Sequence, residues 1–97
     1  MHILIDRDAV CAGDDMNHHR EEFTVPDDIT IAGLFEFLEF KYIPFIARND
    51  VVWALYHHDV EVGVYFTKNR SFINGSIPLS SIINNAEADT EFYLRYY

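Results

Sequence analysis

Residues 23–38 read FTVPDDITIAGLFEFL and carry the signals that decide the fold of this 97-residue chain. Phe23 and Val25 alternate with polar residues, as in a β-strand. Pro26 ends that strand because it has no backbone amide to donate to a neighbour. Thr30 then offers a hydroxyl that can cap a helix N-terminus. The stretch therefore predicts a strand, a tight turn and a capped helix.

The predicted helix carries one apolar stripe and leaves two phenylalanines on its other side. The stripe recurs at i, i+3, i+4, i+7 and i+11, which places its members on one face: Ile31, Leu34, Phe35, Leu38 and Tyr42. Pro44 predicts a helix end at residue 42 or 43. Phe37 and Phe40 fall away from the stripe, so they either bind a partner or are covered by residues such as Phe45, Ile46 and Phe72.

Strand patterns lie on both sides of this stretch. Residues 2–7 alternate as a first strand and, after a long loop, pair with residues 20–25. Residues 51–56 and 60–66 predict a hairpin with a turn at 57–59. Residues 67–78 are polar and contain glycine, which indicates an irregular connection. The remainder predicts a helical turn at 79–83, a loop at 84–89 and a closing strand at 90–96.

Composition places the chain among ordinary globular domains, with an acidic surface. The length suits one domain over residues 1–97, and the apolar content of 49% gives it a core. Sixteen acidic and seven basic residues give a net charge of -9. Such a surface repels nucleic acid and anionic membranes, which are therefore not expected partners, and it suits a basic protein. The alternative is that the charge serves only solubility.

Localisation follows from cysteine usage and the first residues. The single cysteine, Cys11, cannot form an internal disulfide. The N-terminal residues lack the basic and long apolar regions of a signal peptide, and no stretch reaches the roughly 20 apolar residues of a membrane span. We expect a soluble, cytoplasmic protein.

Two sets of residues resemble the ubiquitin-like β-grasp family. They are VPDDITI at 25–31, at the strand-to-helix junction, and LSSII at 79–83 followed by TEFYL at 90–94. The resemblance implies an α+β fold, ββαββ-turn-β, with a mixed sheet packed on one helix and the first and last strands parallel and central. The chain ends in YLRYY without the Gly-Gly tail of that family, so conjugation and sulfur transfer are not expected. The family's other use is a sheet surface that binds proteins.

The closing strand suggests which side chains form that surface. If Phe92, Leu94 and Tyr96 face the helix, the intervening residues face outward together with alternate residues of the first strand. Tyrosine and arginine are enriched in binding hot spots. The predicted partner-binding residues are His2, Leu4, Tyr93, Arg95 and Tyr97, with Phe37 and Phe40 on the helix as a second surface. On the middle strands, Trp53 or Ala54 and Tyr65 or Val64 extend the outer face. The alternative is that long loops cover it.

Histidines and acids in two loops are the one dense group of metal-ligand types. His18 and His19 follow two aspartates, and His57 and His58 precede Asp59. Imidazole with carboxylate suits zinc or another transition metal. No helical histidine spacing or fixed motif supports such a site, and polar loop tips are the alternative explanation. No cofactor is expected.

We therefore expect a non-enzymatic protein–protein interaction module that uses its outer sheet face. One alternative is an acidic inhibitor or immunity-type protein that caps a basic partner. Another is a metal-binding or cysteine-dependent enzyme built on Cys11, although no family signature surrounds that residue. A homodimer through an outer aromatic surface is also open.

Overall fold

Six strands and one α-helix follow one another in the computed structural model, which describes residues 1–9, 19–44, 46, 48, 50–83 and 90–97. The order confirms the predicted one, with one strand added. In sequence the elements are β1 (His2–Arg7), β2 (Glu21–Thr24), α1 (Ile31–Lys41), β3 (Val52–His57), β4 (Val60–Phe66), β5 (Ser71–Ile73), a 3₁₀ turn (Leu79–Ser81) and β6 (Glu91–Tyr96). The loop predicted at 84–89 and most of the first long loop lie outside the described residues.

The N-terminus of α1 is capped as the sequence predicts. The hydroxyl of Thr30 accepts a hydrogen bond of 3.1 Å from the amide of Gly33. The amides of Ile31 and Ala32 donate to carbonyls of the segment after β5, at 3.0 and 2.8 Å. These bonds satisfy donors that a helix leaves unpaired in its first turn. The start of the helix is therefore fixed both locally and by a distant segment.

The prediction of an irregular connection over residues 67–78 is wrong, because β5 forms within it. Phe72 of this short strand stacks on Tyr65 of β4, with ring centroids 4.9 Å apart. Arg70 and Asn74, on either side of the strand, have positive φ angles of 53° and 60°. Tight turns therefore bring three residues into register beside β4. Tertiary packing of one aromatic ring outweighs the polar local sequence.

The strands form one mixed sheet in the order β2-β1-β6-β3-β4-β5. β1 and β6 are parallel, and Leu4 lies opposite Glu91 in their register. The other neighbouring pairs are antiparallel. The predicted parallel pairing of the first and last strands inside the sheet is confirmed.

The core lies between α1 and one face of the sheet, which we call the inner face. The predicted stripe is buried from Ile31 to Leu38, and Tyr42 is partly buried. The sheet contributes alternate residues of β1, β3, β4 and β6: Ile3, Ile5, Trp53, Leu55, Tyr65, Phe92 and Leu94. Gly63 of β4 lies directly beneath Ile31, where even a methyl group would come within 2.6 Å of the isoleucine side chain.

The architecture is a compact α+β domain in which a six-stranded mixed sheet packs on one helix. Its parallel β1–β6 pairing fits a β-grasp-like topology. In the part of the chain that the structure describes, no helix has the length and apolar character needed to cross a membrane.

Candidate partner-binding face

The side of the sheet opposite α1, which we call the outer face, is defined by strand alternation. Ala54 lies beside Arg95, and Tyr56 lies beside Tyr93, in the register of β3 and β6. Their chain neighbours point into the core, so these side chains point away from it. The face includes His2, Leu4 and Asp6 of β1, Glu22 and Thr24 of β2, Glu91, Tyr93 and Arg95 of β6, Ala54 and Tyr56 of β3, and Glu61 and Val64 of β4, followed by Tyr97.

Tyr56, Arg95 and Tyr97 form a connected group on this face. The hydroxyls of Tyr56 and Tyr97 share a hydrogen bond of 3.0 Å. The guanidinium carbon of Arg95 lies 5.3 Å from the centroid of the Tyr56 ring, which is cation–π distance. The bond to Tyr97 is the main cause that raises the pKa of Tyr56 to about 12. Tyr97 is 57% exposed, so the group presents aromatic and guanidinium surface in a fixed arrangement.

Tyr93 lies opposite Tyr56 on the same face, and Asp8 holds its side chain through a hydrogen bond. Its hydroxyl donates to Asp8 Oδ1 at 2.7 Å, and Asp8 Oδ2 accepts from the amide of Tyr96 at 3.3 Å. Burial, followed by this hydrogen bond, raises the pKa of Tyr93 to about 12. The phenol is therefore neutral at physiological pH and partly withdrawn from solvent.

A shallow groove of about 630 Å³ runs along the outer face beside Tyr93. Carboxylates of three different segments line it: Asp6, Asp59 and Glu91. Two cations, Arg20 and Arg95, also line it, and Arg20 forms an ion pair with Glu91. The groove is thus lined by aromatic side chains and by groups of both charges, with acids in excess.

The predicted outer-face residues lie on the expected side of the sheet, with different exposure. Arg95, Tyr97 and His2 are exposed, whereas Leu4 and Tyr93 are partly buried. The Nδ1 atom of His2 lies 3.0 Å from the hydroxyl of its strand partner Thr24. Of the alternatives on the middle strands, Ala54 and Val64 point outward and are buried by their neighbours.

Sequence reasoning missed Tyr56, which connects Arg95 to Tyr97. A usable signal existed, because Tyr56 falls in the same alternating set as Ala54. A register shift between Leu55 and Tyr56 at the β3–β4 pairing makes this end of the strand harder to assign from sequence.

The two phenylalanines on the helix differ in their environments. Phe40 is 87% exposed. Phe37 is half-buried, and its ring packs edge-on against Phe23 of β2 with centroids 5.5 Å apart. Phe72, predicted as a cover for the helix back, instead packs against Phe35 and Tyr65 in the core. The helix surface therefore presents one prominent aromatic ring rather than two.

The histidines predicted as metal ligands are only partly brought together. His57 is buried, with its ring 5.1 Å from that of Phe92 and 4.3 Å from that of exposed His58. Among the described residues, which include His19 but not His18, no group of three or more potential ligands is arranged to hold a metal ion. Cys11 and the two aspartates before His18 lie outside the described residues. The metal-binding and cysteine-dependent alternatives stay predictions.

The chain was compared with protein-family models, with curated proteins and with solved structures. No family model, curated protein or solved structure matches it.

Proposed function

We propose that the chain is a non-enzymatic, ubiquitin-like β-grasp module that binds a basic protein partner through its outer face. The parallel pairing of β1 with β6 and the single helix on the inner face support the β-grasp assignment.

The observation that carries the proposal is the connected group of Tyr56, Arg95 and Tyr97. Tyrosine and arginine supply most of the energy in many protein interfaces because they combine large contact areas with polar groups. Here, mutual contacts already hold the side chains in place. Less conformational entropy is then lost on binding, which favours affinity.

The charge of the molecule supports a basic partner. The chain has a net charge of -9, and Asp6, Asp59 and Glu91 bring part of that charge to the groove. Opposite charge on a partner speeds association and rejects acidic competitors. The same observation favours the inhibitor or immunity-type alternative, in which the basic partner is a toxin or nuclease and binding blocks its activity.

The test is an affinity capture from the native host, followed by measured affinities of the purified partner for variants. Arg95→Ala and Tyr97→Ala should each weaken binding about thirtyfold or more, the usual effect of losing a hot spot. Phe40→Ala is the matched control, because it removes an exposed aromatic ring from the helix and should leave affinity unchanged. Loss of binding with Phe40→Ala and not with the outer-face variants would move the site to the helix, and loss with none of them would reject both surfaces.

Two further measurements separate the remaining alternatives. Light scattering at two concentrations should give a monomer, whereas a dimer sensitive to Tyr97→Ala would make a second copy the occupant of the outer face. For a captured partner with enzymatic activity, inhibition at one-to-one stoichiometry would favour the inhibitor alternative. The association rate should fall steeply with added salt, because charge steering is screened over about 10 Å at 0.1 M salt.

A further inference from the structure

A second cavity of about 570 Å³ lies on the opposite side of the molecule from the outer face. It opens between the C-terminal end of α1, the segment that leads into β3, and the turn between β4 and β5. Its volume is in the range of small-molecule binding sites, about 300–1,000 Å³. The cavity and the outer-face groove share no lining residue, so a ligand in this cavity would be independent of the proposed function.

The floor of this cavity is aromatic and rigid. Val51, Trp53 and Tyr65 line it, and each is at most 3% exposed because the rest of its surface packs into the core. Ile43 and Ile46 add apolar walls. These two walls are partly exposed, so they supply the accessible apolar surface, and covering them with the apolar part of a ligand releases water from both.

The rim is basic, which is unusual in a chain of this charge. Three of the seven lysines and arginines line the cavity: Arg48, Lys68 and Arg70. Arg48 is held by Asp50 at 2.8 Å and by the carbonyl of Tyr97 at 2.6 Å. Lys68 is exposed and makes no hydrogen bond or ion pair with other described residues, so its ammonium group remains available to a ligand.

The one carboxylate among the described lining residues is already paired with a cation. Glu39 accepts hydrogen bonds from the Tyr65 hydroxyl at 2.5 Å and from Arg70 at 2.9 Å. Burial opposes its ionisation, but these two bonds outweigh burial and lower its pKa. Because Arg48 is paired with Asp50 and Arg70 with Glu39, Lys68 supplies the excess positive charge beside the apolar walls.

We infer that this cavity binds a small monocarboxylate with an apolar body, its carboxylate at Lys68 and its hydrocarbon against Ile43 and Ile46, with Trp53 behind them. A neutral apolar molecule lacks the group that the rim attracts. A small polar anion lacks the hydrocarbon that the apolar walls favour. The cavity volume suits a ligand of the size of a medium-chain fatty acid.

Trp53 provides the readout, because it is the only tryptophan in the chain. Octanoate, titrated into the intact protein, should change the tryptophan fluorescence to saturation. Acetate has the charge without the chain, and octanol has the chain without the charge. Each should bind at least about tenfold more weakly than octanoate, as expected when one of two contributions is lost.

A pair of lysine variants locates the anion. Lys68→Ala should weaken octanoate binding about tenfold, the effect of losing one charge-assisted hydrogen bond. Lys41→Ala removes an exposed lysine at the end of α1 that does not line the cavity, so it should leave binding unchanged. Lys68→Arg should retain most of the affinity. The inference is overturned if fluorescence does not saturate, if octanol binds as tightly as octanoate, or if both alanine variants weaken binding equally.

Discussion

Replacing Gly63 with alanine tests how closely the helix packs on the sheet. Gly63 lies in the interior of β4 and has no positive φ, so the backbone accepts alanine without strain. The added methyl carbon would lie 2.6 Å from Ile31 Cγ2 and 3.3 Å from Ile31 Cδ1. Ile31 is fully buried and cannot move outward into solvent. Either the helix shifts or the isoleucine leaves its rotamer.

Two opposing contributions set the size of the effect. Alanine restricts the unfolded chain more than glycine does, which stabilises by about 0.4–1 kcal/mol. Overpacking a well-packed core costs about 1–3 kcal/mol. We therefore expect Gly63→Ala to lower the free energy of unfolding by about 1–2 kcal/mol. In urea, with an m-value of about 1.5 kcal/mol/M, the midpoint should fall by about 1 M.

A double-mutant cycle with Ile31→Ala isolates the contact. Ile31→Ala alone should cost about 2–5 kcal/mol, because it leaves a cavity beneath the helix. Without the Cγ2 atom, however, the methyl group that Gly63→Ala introduces has room. Adding Gly63→Ala to Ile31→Ala should then cost nothing, and the interaction energy should be about 1–2 kcal/mol.

The outcome that contradicts this reasoning is an additive cycle, or a Gly63→Ala protein at least as stable as the wild type. Gly33→Ala is a matched control within α1. There the nearest atoms to an added methyl are Ile29 Cγ1 at 3.2 Å and Thr30 Oγ1 at 3.3 Å, so small adjustments suffice. The gain in helix propensity should raise stability by up to about 1 kcal/mol.

Three further predictions concern a cap, a phenol and a carboxylate. Thr30→Ala should lower the free energy of unfolding in urea by about 1 kcal/mol and Thr30→Ser by much less, because serine keeps the capping oxygen; equal losses would contradict the cap. Tyr65 and Tyr93, with pKa values raised to about 12, hold their protons more tightly when folded, so their stabilising contribution is complete below about pH 10 and is lost as pH rises through 12. A titration of tyrosinate absorbance in which every folded tyrosine ionises near pH 10 would refute this. Because folding lowers the pKa of Glu39, its contribution to stability is present above the ordinary glutamate pKa and is lost as pH falls through the pKa of the folded state. Glu39→Gln should therefore flatten the acid side of a plot of unfolding free energy in urea against pH. An unchanged acid slope would show that Glu39 does not contribute.

The elements that follow from local physical chemistry were predictable. The hydroxyl of Thr30 and the apolar stripe of α1 are close in sequence to the groups that they stabilise. The bounds predicted for the helix are therefore nearly the observed ones. The turn between β3 and β4 was also predicted, at residues 57–59, and the structure forms it with His58 and Asp59. Both adopt positive φ angles, 50° and 63°, and aspartate and histidine tolerate that conformation better than most residues.

Elements that depend on distant contacts were not predictable. β5 forms because Phe72 stacks on Tyr65, and nothing in the polar local sequence indicates that partner. The burial of Phe37 likewise depends on Phe23, which precedes it by fourteen residues and lies on another element.

For the candidate site, the sequence predicted which side of the sheet each side chain faces, but not which side chains are in contact. Alternation along β6 placed Arg95 and Tyr97 on the outer face, since side chains of a strand point to opposite sides in turn. Their connection through Tyr56 depends on the register between β3 and β6, which a single sequence does not contain. The cavity at the C-terminal end of α1 was not predicted, because its rim joins Arg48 to Lys68 and Arg70 of a turn that is distant in sequence.

The position of β6 in the sheet has a consequence for synthesis of the protein. This strand, the last of the described elements, joins the two halves of the sheet: β2-β1 lies on one side of it and β3-β4-β5 on the other. Leu4 lies beside Glu91, 87 positions later, so β1 leaves the ribosome about 4–17 s before its parallel partner at about 5–20 residues per second. During that interval the nascent chain carries an open apolar strand edge, a template for wrong pairing. We expect folding to be completed only after β6 has been synthesised, to be slow for a domain of this size, and to depend on protection of β1 during that interval.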